Sequence, residues 1–135
     1  MILVDTNVLL DLVGRDPVWL AWSRDELRTA GANDQLVIND VVYAELAAGY
    51  RRPENVDDLI ARGSISLRRT PRRALFLAGK AFQRYRASGG TRTGVLPDFF
   101  IGAHALATNS RLITRDPRRY RTYFPGLELI TPDIH

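Results

Sequence analysis

Four carboxylates in this chain could do chemistry together. Asp5 directly follows the apolar run Ile2-Leu3-Val4. Glu45 lies inside Val41-Val42-Tyr43-Ala44-Glu45-Leu46. Asp98 heads the run Phe99-Phe100-Ile101-Gly102-Ala103, and Asp116 closes Leu112-Ile113-Thr114-Arg115-Asp116. Each has an ordinary structural reading. Asp5 could mark a strand exit or a helix cap, Asp98 an N-cap, Asp116 an Asp-Pro turn and Glu45 a buried ion pair with an Arg. Brought together, they repel and cannot all stay ionised without compensation. A hard divalent cation supplies that compensation, and all-oxygen donors suit Mg²⁺ or Mn²⁺. The chain has no Cys, which excludes a disulfide framework and a thiolate metal site.

The flanking sequence says which elements must hold these groups. Ile2-Leu3-Val4 and Leu36-Val37-Ile38 are short uninterrupted apolar runs, and Ser64 to Leu67, Arg111 to Thr114 and Leu127 to Ile130 read as further short strands with polar residues among the apolar ones. Such runs suit strands covered on both faces. Between them lie helical patterns. Asn7 to Val13 is one. A second starts at Asp16-Pro17, runs through Trp19, Trp22 and Leu27, and is stopped by Gly31. Asp40 to Ala48 follows, capped by Asn39, then a helix from Pro53 to Gly63. A long one begins at Thr70-Pro71 and ends near Gly89-Gly90, and Asp98 to Ala107 is apolar on nearly every side. Strands alternating with helices predict an α/β fold: one domain over residues 1–135 with a central, mainly parallel twisted sheet of four to five strands flanked by helices. Ligands of such sheets sit at the carboxyl ends of the strands, where Asp5 and Asp116 fall. On a helical wheel Glu45 lies about 40° from Val41, in a sector surrounded by Val41, Val42, Leu46, Ala48 and Gly49, so its carboxylate is expected to be buried.

The ordered set Ile2-Leu3-Val4-Asp5-Thr6-Asn7-Val8-Leu9, Val42-Tyr43-Ala44-Glu45-Leu46, Leu96-Pro97-Asp98-Phe99-Phe100-Ile101-Gly102-Ala103 and Thr114-Arg115-Asp116 resembles the PIN-domain ribonucleases, specifically the VapC-type toxins of toxin–antitoxin pairs. The resemblance spans nearly the whole chain. It implies a Rossmann-like sheet, an acidic Mg²⁺ or Mn²⁺ site, cleavage of RNA phosphodiesters, a homodimer, and a VapB-type antitoxin that covers the active site. Residue by residue, Asp5, Glu45, Asp98 and Asp116 match the four acidic positions, and Asn7 and Thr114 match polar positions beside them. His104 is outside that set and reads as a hydrogen-bonded structural residue.

The net charge is +4, and of nineteen basic residues all but Lys80 are Arg. Excess positive charge favours a polyanionic partner, and Arg suits forked contacts to phosphate. Basic clusters fall at Arg68, Arg69, Arg72 and Arg73, at Arg84, Arg86 and Arg92, and at Arg115, Arg118, Arg119 and Arg121. Arg92 and Arg115, nearest in sequence to Asp98 and Asp116, are the expected RNA contacts. Trp19 and Trp22 are apolar candidates for a protein contact. No run is long and apolar enough to span a bilayer and no signal segment is visible, so a cytoplasmic location is expected. Two other functions compete. An RNA-binding PIN-like module without cleavage is disfavoured because all four carboxylates are present. A haloacid-dehalogenase-like phosphatase would need an Asp two residues after Asp5, where Asn7 stands.

Overall fold

Ile2, Leu3 and Val4 are all fully buried, as expected of a strand with neighbours on both edges and cover on both faces. In the computed structural model they form β1 (Ile2–Val4), the middle of a five-stranded sheet. The other strands are β2 (Leu36–Ile38), β3 (Ile65–Leu67), β4 (Arg111–Ile113) and β5 (Leu129–Ile130). The order is β3-β2-β1-β4-β5, and every pairing is parallel, with Leu3 opposite Val37 on one side and Leu112 on the other. The structure describes residues 1–132; the last three residues of the expected domain lie outside the described residues. From β1 the chain builds outward to β2 and β3, then returns to place β4 on the opposite edge of β1. That reversal opens a crevice at the carboxyl ends of β1 and β4.

Among the described residues seven helices connect and cover the sheet: α1 (Thr6–Val13), α2 (Leu20–Asn33), α3 (Asp40–Ala47), α4 (Pro53–Arg62), α5 (Arg72–Ala87), α6 (Leu96–Ala107) and α7 (Arg118–Tyr123). α6 is the central one. It packs on α5, α3, α7, β1 and β4, and Phe99, Ile101, Ala103 and Ala105 along it are fully buried, as its all-round apolar sequence requires.

The predicted boundaries hold at α3, where Asn39 Oδ1 accepts from the N–H groups of Val41 and Val42 at 3.1 and 3.0 Å, and at α4, which ends at Gly63. They shift at α2. Asp16 Oδ1 accepts from Val18 and Trp19 N–H at 2.8 and 2.9 Å, so Asp16-Pro17 makes a separate turn and the helix starts at Leu20. It also runs past Gly31 to Asn33. Before α5, Thr70 does not cap the helix; Pro71 precedes the first turn, and Thr70 Oγ1 is buried without a hydrogen-bond partner. α7 is a helix that the apolar pattern does not predict, because the stretch after Asp116 is rich in Arg.

Candidate metal centre

Asp5 leaves the sheet at the carboxyl end of β1 and is 4% exposed. It precedes α1 but makes no side-chain cap hydrogen bond, so capping does not explain it. Its Oδ2 accepts instead from Thr114 Oγ1 at 2.8 Å, Tyr120 Oη at 2.9 Å and Asn7 Nδ2 at 3.4 Å. Burial, then the nearby charge of Asp98, push its pKa up from 3.8 to about 6, against the lowering effect of the Thr114 and Tyr120 hydrogen bonds. Tyr120, buried at 1% exposure, is held well above the usual phenol value by burial and by the charges of Asp5 and Asp98. It therefore stays a hydroxyl donor.

Asp98 sits in the first turn of α6, and Val95, not Asp98, precedes the helix. Its Oδ2 receives Nη1 of Arg119 in an ion pair that leaves both side chains about one-third exposed. Burial raises its pKa, the hydrogen bond and charge of Arg119 oppose that, and Asp116 adds to the rise. Asp116 is exposed in the turn after β4. Its N–H donates to Thr114 Oγ1 at 3.1 Å, so a single hydroxyl ties the Asp5 carboxylate to the Asp116 backbone.

Glu45 corrects its expectation. The residue is exposed and belongs to no ion pair among the described residues. The wheel counted Ala48 and Gly49 as apolar, but both lie beyond the last turn of an eight-residue helix and are exposed; Val42 and Leu46 alone form the buried stripe. The carboxylate nevertheless turns to the crevice, where Oε1 accepts from Thr6 Oγ1 at 2.6 Å. Asp5, Thr6, Asn7, Leu10, Glu45, Asp98 and Asp116 thus line one cavity of about 200 Å³. Its acidic members come from the end of β1, α3, α6 and the turn after β4. Among the described residues, no three His, Cys, Asp or Glu side chains converge closely enough to hold one metal ion together; Asp98 is turned to Arg119. The donors are all hard oxygens, a chemistry that fits Mg²⁺ or Mn²⁺ and not a soft metal.

Asn7 and Thr114 fall beside Asp5 as expected, Asn7 also donating to Thr114 Oγ1 at 3.4 Å. The two Arg expectations fare differently. Arg115 does not reach into the cavity. Its Nε donates to both carboxylate oxygens of Asp11, at 3.0 and 2.9 Å, and its guanidinium lies 5.7 Å from the Trp19 ring centroid. Asp11 is 2% exposed and also accepts from Ser23 Oγ at 2.8 Å. A buried carboxylate needs such a partner, so Arg115 pins the Asp116 turn to α1 and α2. Arg92 is exposed and does not line this cavity. His104 is buried, but its Nδ1 has no hydrogen-bond partner, contrary to expectation, and burial lowers its pKa. Trp19 and Trp22 pack edge to face at 6.2 Å and are half-buried.

Sequence reasoning missed Thr6, Asp11, Tyr120 and the pairing of Arg119. Tyr120 had a signal. With Phe124 it makes an i, i+4 aromatic pair inside a charged stretch, the mark of a short helix with one buried side.

An all-parallel sheet with carboxylates gathered at its switch point is the plan of a Rossmann-like domain with an acidic centre. A sequence model of the PIN domain matches residues 2–125, and the chain belongs to the PIN-domain family. Among solved structures it is similar to VapBC2 from Rickettsia felis bound to a promoter DNA fragment (TM-score 0.73, 20% identity, 97% of this chain and 98% of that one). It is also similar to VapBC-1 from nontypeable Haemophilus influenzae (TM-score 0.71, 24% identity, 97% and 98%) and to FitAcB from Neisseria gonorrhoeae (TM-score 0.68, 19% identity, 98% and 98%). At these identities the likeness is one of fold. No curated protein matches the chain in sequence.

Proposed function

We propose that this PIN domain is a Mg²⁺- or Mn²⁺-dependent endoribonuclease and the toxin of a toxin–antitoxin pair. The observation that carries the reading is the cavity at the switch point, lined by Asp5, Glu45, Asp98 and Asp116 from four separate elements. Asp5, Asp98 and Asp116 would hold the cation, with Glu45 beside it. When bound, a divalent cation lowers the pKa of a water and offsets charge on a phosphodiester. The chain's own residues prepare for this. Thr114, Tyr120 and Asn7 fix one oxygen of Asp5. Thr6 fixes one oxygen of Glu45, leaving the other to accept a proton from water.

The solved relatives are VapBC and FitAB complexes, which supports a VapB-type antitoxin as partner. RNA substrate, homodimer and a cytoplasmic setting belong to the same reading. Among the described residues no helix is long and apolar enough to cross a membrane. The second reading, an RNA-binding module without cleavage, is favoured by one observation, the lack of three converging carboxylates among the described residues.

The test is cleavage of a mixed cellular RNA with Mg²⁺ or Mn²⁺. Asp5→Ala, Asp98→Ala and Asp116→Ala are each expected to lower the rate by about 10²-fold or more. Expression should arrest growth unless a protein encoded next to the chain is co-expressed. Cleavage undiminished by excess chelator would overturn the metal-dependent reading; RNA binding with no cleavage in either metal would favour the module.

A further inference from the structure

The carboxylate cavity has a neighbour. A second cavity of about 340 Å³ is lined by Asp98, Asp116, Arg118, Arg119, Thr122 and Tyr123, so Asp98 and Asp116 are the wall between the two. Arg119 stands at that wall with its Nη1 on Asp98 Oδ2. Both partners keep about a third of their side-chain surface in solvent, so the pair is not locked in the core. Arg118, beside it on α7, is exposed and makes no ion pair among the described residues.

Arg119 holds Oδ2 of Asp98, and a metal ion at the same carboxylate would share its charge with the guanidinium and be repelled by it. Arg119 and a divalent cation therefore compete for Asp98. A guanidinium that leaves Asp98 remains tethered at the wall of the second cavity, where the anions that suit an Arg fork in an RNA-cleaving protein are backbone phosphates. We propose that Arg119 has two positions: counter-ion of Asp98 when no cation is bound, and ligand of a substrate phosphate in the second cavity once a cation has taken Asp98. The inference rests on the metal-dependent reading above, of which it specifies a substrate-binding subsite.

The signature is a pair of effects with opposite signs, which a merely structural role for Arg119 would not produce. Calorimetric titration of Mn²⁺ into Arg119→Gln should show affinity tightened by about tenfold, the scale of a charge-assisted hydrogen bond removed from the competitor. Arg118→Gln, which makes the same change in net charge, should tighten it far less. In cleavage of a short RNA at saturating Mn²⁺, Arg119→Gln should raise KM more than it lowers kcat, and should reduce the salt slope of log KM by about 0.7, one single-strand phosphate contact. Arg119→Lys keeps the charge without the fork and should fall between; it also serves if the Gln variant fails to fold. Unchanged or weaker Mn²⁺ binding by Arg119→Gln, equal tightening by Arg118→Gln, or an unchanged KM and salt slope would each overturn the proposal. Absence of Mn²⁺ binding in wild type and variants alike would instead overturn the metal-dependent reading itself, and the proposal with it.

Discussion

Asp5 is the residue on which burial and charge disagree most. It is nearly inaccessible, yet it must be anionic to hold a cation. Three donors stabilise its anion, but burial and Asp98 outweigh them, and its pKa stands at about 6 against 3.8 for the free side chain. Because the folded pKa is raised, the folded state binds the extra proton between those values. Stability from this group is fully present below about pH 4 and is lost as pH rises through about 6. Asp5→Asn keeps an acceptor oxygen for Thr114 and Tyr120 and removes the titration. In chelator, urea unfolding should find the Asp5→Asn variant little changed at about pH 4 and more stable than wild type at about pH 7.5, by on the order of 2 kcal/mol. A stability difference that does not grow with pH would mean Asp5 is ionised at its ordinary value. Arg119 acts on the same balance: a tethered cation at Asp98 offsets part of the repulsion among these carboxylates.

At the scale of elements, the short α7 decides how the site closes. It supplies Tyr120 to Asp5 and Arg119 to Asp98, and it does so by lying hard against α6. A Cβ at Gly102 would come within 2.7 Å of the Phe124 ring and 3.0 Å of the Tyr120 ring, contacts that force the chain apart. Gly102→Ala should therefore destabilise by about 1–3 kcal/mol and weaken both α7 contacts at once. Gly79 is the internal control. It is also helical, in the exposed part of α5, with nothing within 4 Å of its added Cβ, so Gly79→Ala should stabilise by about 0.5–1 kcal/mol. Equal effects from the two changes, read by urea unfolding, would show that α7 is free to move away from α6. The loop after β4 is held from the other side by Arg115 on Asp11, so the Asp116 turn is fixed between α7 and the α1–α2 pair.

Across the whole molecule, the cavity joins positions from residue 5 to residue 116, brought together by a sheet whose strands are only two or three residues long. A cation bound there ties β1, α3, α6 and the turn after β4 in the folded state alone. Mass action then adds about 2.7 kcal/mol at a hundred times the dissociation constant. Thermal melting should rise with Mn²⁺ concentration in wild type and not in a double variant carrying Asp5→Asn and Asp116→Asn. A rise of equal size in both would assign the stabilisation to other carboxylates on the surface.

The sequence alone determined the α/β class and the parallel sheet, and it singled out the four carboxylates that line one cavity. Apolar runs without alternation suit doubly covered strands, and a carboxylate at a strand's carboxyl end is visible from its neighbours. Asn39 as a cap was legible for the same reason, since its partners are two and three residues away. Only the tertiary structure decided which charges meet. Arg115 looked like a phosphate ligand because it adjoins Asp116, and it is claimed by Asp11, 104 residues earlier. Arg119 looked like one basic residue in a run, and it stands on Asp98. Glu45 looked buried on a wheel that could not see where α3 ends. Hydrophobic periodicity is a property of adjacent residues, whereas the partner of a long charged side chain is set by which elements the fold lays beside it.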